Sequence, residues 1–400
     1  MSGGLYAANT PERFWRLLLE PAPSPADWAS AVAETLDVLP LKARAADLEA
    51  VLGRVLGEEQ FGPDHWSLSR ARRFYYQVKP ILPRPLIRLL RRSQRARAES
   101  SFPLGWPVED RYARFLWGVV GSLLRRNKVD EFLHIGLWPD GKTFALVLTH
   151  DVETADGQTH VLATADLEER YGFRSSFNFV PERYPVDRKL IDSLVERGFE
   201  VGIHGLKHDG KLFSSRREFL RRAPRINHYL RSFGAAGFRS PLTHRNPEWM
   251  QALDMEYDLS FFDTDPYESM PGGTMSLWPF HVGRFLELPY TLPQDYTVTA
   301  VLGETTSRLW QSKLRAIEAF HGMALLNTHP DYLKEVGTWK VYEQFLESLD
   351  PGSGYWHALP AKVARWWRAR EHTPSLEDLP GAVLSRISQD GIKALPSHFD

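Results

Sequence analysis

The stretch FALVLTHDVE, residues 144–153, opens on five consecutive apolar residues and ends on a histidine and two acids. A short apolar run closed by polar residues predicts a strand buried on both faces, as in a parallel sheet covered by helices. Six more runs of this kind follow: FRSSFNFV (173–180), FEVGI (199–203), AGFRS (236–240), YDLSFF (257–262), FLELP (285–289) and GMALLNTH (322–329). Helical patterns such as RKLIDSLVERG (188–198), SRREFLRRAPRINHYLRSF (215–233) and SRLWQSKLRAIEAFHG (307–322) lie between several of them. Strand, helix and strand in alternation predict an α/β architecture. No glycine-rich phosphate loop follows the first strand, so a barrel suits the seven runs better than an open sheet.

The unusual polar residues gather where these strands would end. His150, Asp151 and Glu153 follow the first run, and His204 and His208 the third; Arg239 closes the fourth, Asp263 and Asp265 follow the fifth, and His329 the seventh. In a parallel barrel these positions converge on the C-terminal face, where such folds carry their chemistry. Alternation along an extended segment puts Asp151 and Glu153 on one side and Val152 on the other. One carboxylate can then ligate a metal while the other takes a proton; a solvated pair or a helix cap is the alternative for a lone D-x-E. His204 and His208, four apart at a strand exit, have metal-ligand spacing, although a surface histidine pair is the bland reading. Two imidazoles and one carboxylate leave open positions on a borderline divalent ion, with zinc expected and cobalt or iron as alternatives.

Taken in order, THDVE (149–153), HGLKH (204–208), FRSP (238–241) and LNTHPD (326–331) resemble the motifs of the polysaccharide deacetylases, carbohydrate esterase family four. The resemblance covers roughly residues 140 to 335. It implies a distorted (β/α)7-type barrel, with fewer strands than the eight of a TIM barrel, and metal-dependent hydrolysis of an N-acyl group. It further implies Asp151 as the catalytic base and Glu153, His204 and His208 as metal ligands. Arg239 would hold the base carboxylate, and His329 would act as general acid. The family's first motif is usually TFDD-like, whereas here Val152 follows the first acid and the second returns at Glu153. His150 stands where the family usually has an aromatic residue. Asp263 and Asp265 are candidates to orient His329 or a substrate hydroxyl, Asp295 in LPQDY to line the cleft, and His244 and Arg245 in SPLTHRN are cleft candidates.

The remaining chain frames these expectations. Residues 1–140 read as a helical, basic N-terminal extension, 141–372 as the barrel, and 373–400 as a C-terminal arm. Within the extension, residues 65–98 hold ten Lys or Arg and no acid, with Phe74, Tyr75 and Tyr76 interleaved. Such a segment (66–98) can contact an anionic membrane surface or a phosphate-bearing substrate, or be a solvated helix face. With 49 basic and 50 acidic residues, no global field recruits nucleic acid. Zero cysteines exclude disulfides and thiolate metal sites. The N-terminal residues show no basic segment followed by an apolar run, so a cytoplasmic location, with membrane association through the basic segment, is the expectation. The expected substrate is an N-acetylated amino sugar of a bacterial polysaccharide, such as an exopolysaccharide, or its lipid-linked glycolipid precursor. A small non-sugar amide or ureide, or carbohydrate binding without turnover, is the alternative. Trp366 and Trp367 in the helical segment 355–370 are expected to pack on the barrel rather than stack on sugars.

Overall fold

The computed structural model describes residues 3–18, 22–40, 48–62, 65–66, 99–350, 352, 354–373 and 375–396. The seven apolar runs are seven parallel strand segments. They are β3 (Phe144–Val152), β4 (Ser176–Phe179), β5 (Glu200–His204), β6 (Gly237–Arg239), β7 (Tyr257–Asp258), β9 (Phe285–Glu287) and β10 (Met323–Thr328). Their order around the sheet is β10-β3-β4-β5-β6-β7-β9. Beyond β9 the chain runs on to β10, where the Thr291 and Leu292 amides both donate to the Leu325 carbonyl at 3.1 Å and Leu292 bridges Leu326. The result is a distorted seven-stranded barrel whose last seam is a bridge rather than a full ladder. All nine residues of β3 are buried, which is why its pattern is continuous rather than alternating.

Three of the covering helices start on a side-chain cap. Thr154, Asp187 and Ser215 accept from backbone amides at the starts of Ala155–Arg170, Arg188–Glu196 and Arg216–Phe233. The last of these helices ends on Gly234 at φ 64°, a left-handed C-cap that glycine adopts without strain. Two strands join the barrel sheet without belonging to the seven: β8 (Phe280–Val282) pairs antiparallel with β9, and β11 (Tyr355–His357) pairs with the start of β3.

The N-terminal segment is mainly helical where described, and it also supplies β1 (Leu17–Leu18) and β2 (Glu131–Ile135). From the C-terminal segment, β12 (Leu384–Ser388) pairs antiparallel with β2, so the last stretch of chain completes a three-stranded sheet with the first. Trp366 donates to the Leu137 carbonyl at 2.8 Å, and Trp367 is buried. Both therefore serve packing. The basic segment 66–98 lies, beyond Trp66, outside the described residues. Among the described residues no helix is long and apolar enough to cross a membrane.

Arg245, a cleft candidate from sequence, is committed elsewhere. Its guanidinium is fully buried and donates to both oxygens of Glu58, at 2.6 Å to Oε1 and 3.1 Å from Nε to Oε2. Trp66, Phe261 and Phe262 close around it, with ring centroids 4.5–5.1 Å from its Cζ. Glu58 also accepts from the Gly273 amide at 2.6 Å. Burial would raise its pKa, but Arg245 and then His65 hold it at about 2. Removing one partner of a buried pair leaves an uncompensated charge. Glu58→Ala is therefore expected to cost about 3–5 kcal/mol in urea denaturation; a loss under 1 kcal/mol would show the pair to be dispensable.

Candidate metal centre and its acid–base pair

Asp151 lies in β3 and Glu153 follows one residue beyond its end, while the His150 side chain meets Thr328 and Glu168 instead. Glu153 Oε1 lies 3.0 Å from His208 Nε2. One ligand atom from each of Glu153, His204 and His208 lies within 4.8 Å of the others, and among the described residues this is the one such trio. His204 Nδ1 faces the Arg239 carbonyl at 3.2 Å. A carbonyl only accepts, so Nδ1 carries the proton and Nε2 keeps its lone pair. Both Nε2 atoms are buried; among the described residues that of His204 has no hydrogen-bond partner, and that of His208 meets the Glu153 carboxylate. Burial is the main reason His204 sits at about 4, so the imidazole is neutral at physiological pH. Burial would raise the Glu153 pKa, but His208 outweighs it and holds the carboxyl well below its ordinary value. This carboxylate, the His208 nitrogen beside it and the unpartnered His204 Nε2 form a donor set that fits a divalent cation. His208 itself has φ 51°, an unusual conformation for a side chain with a Cβ, in the turn that brings it back over His204. Their ring centroids are 5.1 Å apart.

Asp151 is placed differently from Glu153. It is buried inside a cage of donors: Asn178 Nδ2 at 3.1 Å and Arg239 Nη1 at 3.3 Å on Oδ1, and Asn327 Nδ2 at 3.0 Å on Oδ2. Burial alone would raise its pKa; Arg239, then His204 and His329, outweigh it and hold the carboxyl at about 2. Arg239 is itself fixed by the Leu259 carbonyl at 2.8 Å, by Thr149 Oγ1 at 3.0 Å and by Asn327 Oδ1. A rigid, ionised carboxylate results.

His329 Nε2 stands 3.9 Å from Asp151 Oδ2. On the other side of the ring, Nδ1 meets Asp295 Oδ1 at 2.7 Å, and the His329 amide donates to Asp295 Oδ2 at 2.9 Å. Burial would lower the pKa of this imidazole, but the Asp295 carboxylate, helped by Glu153 and Asp151, raises it to about 10. The ring is therefore protonated at neutral pH, with Nε2–H turned towards Asp151. Asp295 caps a π-helical turn, Tyr296–Leu302, accepting from the Tyr296 amide at 2.8 Å. Such turns often occur where a functional group must be re-aimed.

The structure thus brings Asp151, Glu153, His204, His208, Arg239 and His329 together. It gives Asp295, read from sequence only as a cleft residue, the place beside His329 that Asp263 and Asp265 were candidates for. Asp263 instead pairs with Lys313, 2.8 Å away, and Asp265 Oδ1 accepts from the Tyr267 amide at 2.7 Å. The substrate-hydroxyl role suggested for them is not supported by these contacts. His244 lines a small cavity with His208, Leu206 and Phe213. Three residues went unnoticed in sequence. Asn178 and Asn327 hold Asp151, and Asp331 accepts from the Glu153 amide at 2.9 Å and from the Thr154 hydroxyl.

No protein-family model matches the chain, and no curated protein matches it. Among solved structures it is similar to a Mycobacterium smegmatis protein named as a polysaccharide deacetylase, at 19% identity and a TM-score of 0.48. It is also similar, at 15% identity and a TM-score of 0.47 each, to Puue allantoinase and to a Pseudomonas aeruginosa PAO1 protein named as a polysaccharide deacetylase. In all three cases 59% of this chain and 94% of the other is covered. These are likenesses of fold.

Proposed function

We propose that this chain is a metal-dependent hydrolase that removes N-acetyl groups from amino-sugar units of a bacterial polysaccharide or its lipid-linked precursor. One observation carries the reading: three convergent metal donors, among them the buried and unpartnered His204 Nε2, stand beside a buried carboxylate and imidazolium 3.9 Å apart. Glu153, His204 and His208 would hold a divalent ion, with zinc favoured by the mixed nitrogen and oxygen donors and cobalt or iron as alternatives. When bound, that ion supplies Lewis-acid polarisation of the acyl carbonyl and makes water a better nucleophile.

The protein's own groups do the rest. Asp151 is ionised across the neutral range and takes the proton of the attacking water. Arg239, Asn178 and Asn327 keep the carboxylate from rotating, so the basic oxygen faces the reaction space. His329 carries a proton on Nε2 and delivers it to the nitrogen of the departing amine. Amide hydrolysis needs this step, because an unprotonated amide anion is a very poor leaving group. Asp295 holds the imidazolium in the orientation for that delivery.

Acetate release should be measured on N-acetylated amino-sugar oligosaccharides and, in parallel, on simple amides and ureides, alongside the metal content of the purified protein. About one divalent ion per chain is expected, lost in the His204→Ala/His208→Ala double variant, with turnover of the sugar substrates. Turnover of the ureides alone would move the substrate class. A protein that holds no ion and whose sugar binding survives the double variant would instead be a carbohydrate-binding protein.

A further inference from the structure

The reaction as described does not use His150, one residue before Asp151 and fully buried on the opposite face of β3. Its Nδ1 lies 2.7 Å from Thr328 Oγ1, and its Nε2 lies 2.7 Å from Glu168 Oε1. Thr328 is the cross-strand neighbour of His150 in the β3/β10 ladder and the residue before His329. Base and acid are thus the next residues along from a hydrogen-bonded pair. Glu168, also fully buried, accepts in addition from Ser175 Oγ at 2.5 Å and from the Tyr342 hydroxyl. Ser175 leads into β4, which supplies Asn178; Tyr342 belongs to the helix Val336–Glu347 that follows β10. The ring of His150 stacks on Phe177 with centroids 4.6 Å apart, so it has one orientation available.

A ring of this size buried only for packing would be apolar, because a buried polar group without partners costs free energy. Here each polar atom is satisfied, and its partners lie on the strands and helices around the site. Side-chain hydrogen bonds between adjacent strand ends restrict how those ends can twist relative to each other. We propose that His150, Thr328 and Glu168 are positioning residues: they form a clamp behind the sheet that sets the separation of Asp151 and His329 on its front. This rests on the hydrolase reading for its kinetic consequence, but not for the geometry.

Thr328→Val removes the hydroxyl while keeping shape, Thr328→Ser keeps the hydroxyl, and His150→Phe keeps the stacked ring without its nitrogens. A misplacement of roughly 1 Å at the reacting groups can cost about 100-fold in rate. On this account Thr328→Val and His150→Phe lower kcat by about 10- to 100-fold, with KM and metal content unchanged, and Thr328→Ser retains activity. In crystals of both losing variants, the 3.9 Å separation between Asp151 Oδ2 and His329 Nε2 is altered. A fall in melting temperature with kcat preserved, or variant crystals with that separation unchanged, would overturn the clamp. A wild-type protein without turnover would overturn the hydrolase reading instead, and the crystallographic comparison would still decide the clamp.

Discussion

Asp151→Asn is expected to lower kcat by about 10²–10⁴-fold, the usual contribution of a positioned general base, while leaving the bound metal in place. The substitution keeps the size of the side chain but removes its negative charge. Every partner of Asp151 is a donor: two carboxamide groups and a guanidinium converge on its two oxygens. An amide there must turn its own NH2 towards one of them, so it is neither basic nor well seated. Glu153→Gln is the matched control. Its oxygen faces the His208 and His204 imidazoles rather than the donor cage, so the expected first loss is metal rather than chemistry. The pair is measured by single-turnover rates with excess metal and by metal titration of each variant. If Asp151→Asn loses the ion and Glu153→Gln keeps it, the roles of base and ligand are the reverse of those proposed.

That reversal is worth testing because the motif is ambiguous in one dimension and less so in three. Alternation along FALVLTHDVE places both acids on one face, which periodicity alone can tell. What separates them is their neighbours. Asn178 and Asn327 lie on the two strands flanking β3, and each shows in sequence only as a polar residue within a strand-like run. A buried amide in such a run signals a partner without naming it. The β3 and β10 strands are legible because burial on both faces leaves a continuous apolar record; the shorter segments between them carry buried polar residues, yet all seven runs are parallel segments of the barrel.

The partner of His329 was harder to read for a different reason. Asp263, Asp265 and Asp295 all follow apolar runs, and strand-end position does not rank them. The loop after β7 folds back so that Asp263 meets Lys313, which neutralises it. The chain after β9 crosses to β10, and Asp295 arrives beside the His329 ring. Arg245 shows the same limit, since its partner Glu58 lies far away in a helical segment whose own periodicity gives no hint of the barrel. The β12 strand pairs with β2 across most of the chain length, a contact that local pattern cannot predict. Elements set by burial are read from sequence; partners set by loop path are not.

Asp295→Asn is expected to move the alkaline limb of the pH–rate profile downwards while sparing activity near pH 6. The wild-type imidazole is held at about 10, so His329 stays protonated, and able to act as an acid, through the neutral and mildly alkaline range. Burial acts in the opposite direction and is offset chiefly by the Asp295 charge. An asparagine keeps an oxygen acceptor for Nδ1–H but removes that charge, so the pKa should fall towards or below the ordinary histidine value near 6.5. An imidazole at that value is only roughly 3% protonated at pH 8, so kcat there should drop by about 30-fold. Activity should recover as the pH is lowered through 6.5. Stability follows the same linkage. A group whose folded pKa is raised stabilises fully below its unfolded value, and the benefit is lost as pH rises through the folded one. The urea stability gap between wild type and variant should thus be widest below pH 6.5 and shrink towards pH 10. An alkaline limb that stays where it is in the variant, with kcat lowered equally at every pH, would mean that Asp295 orients the ring without setting its charge.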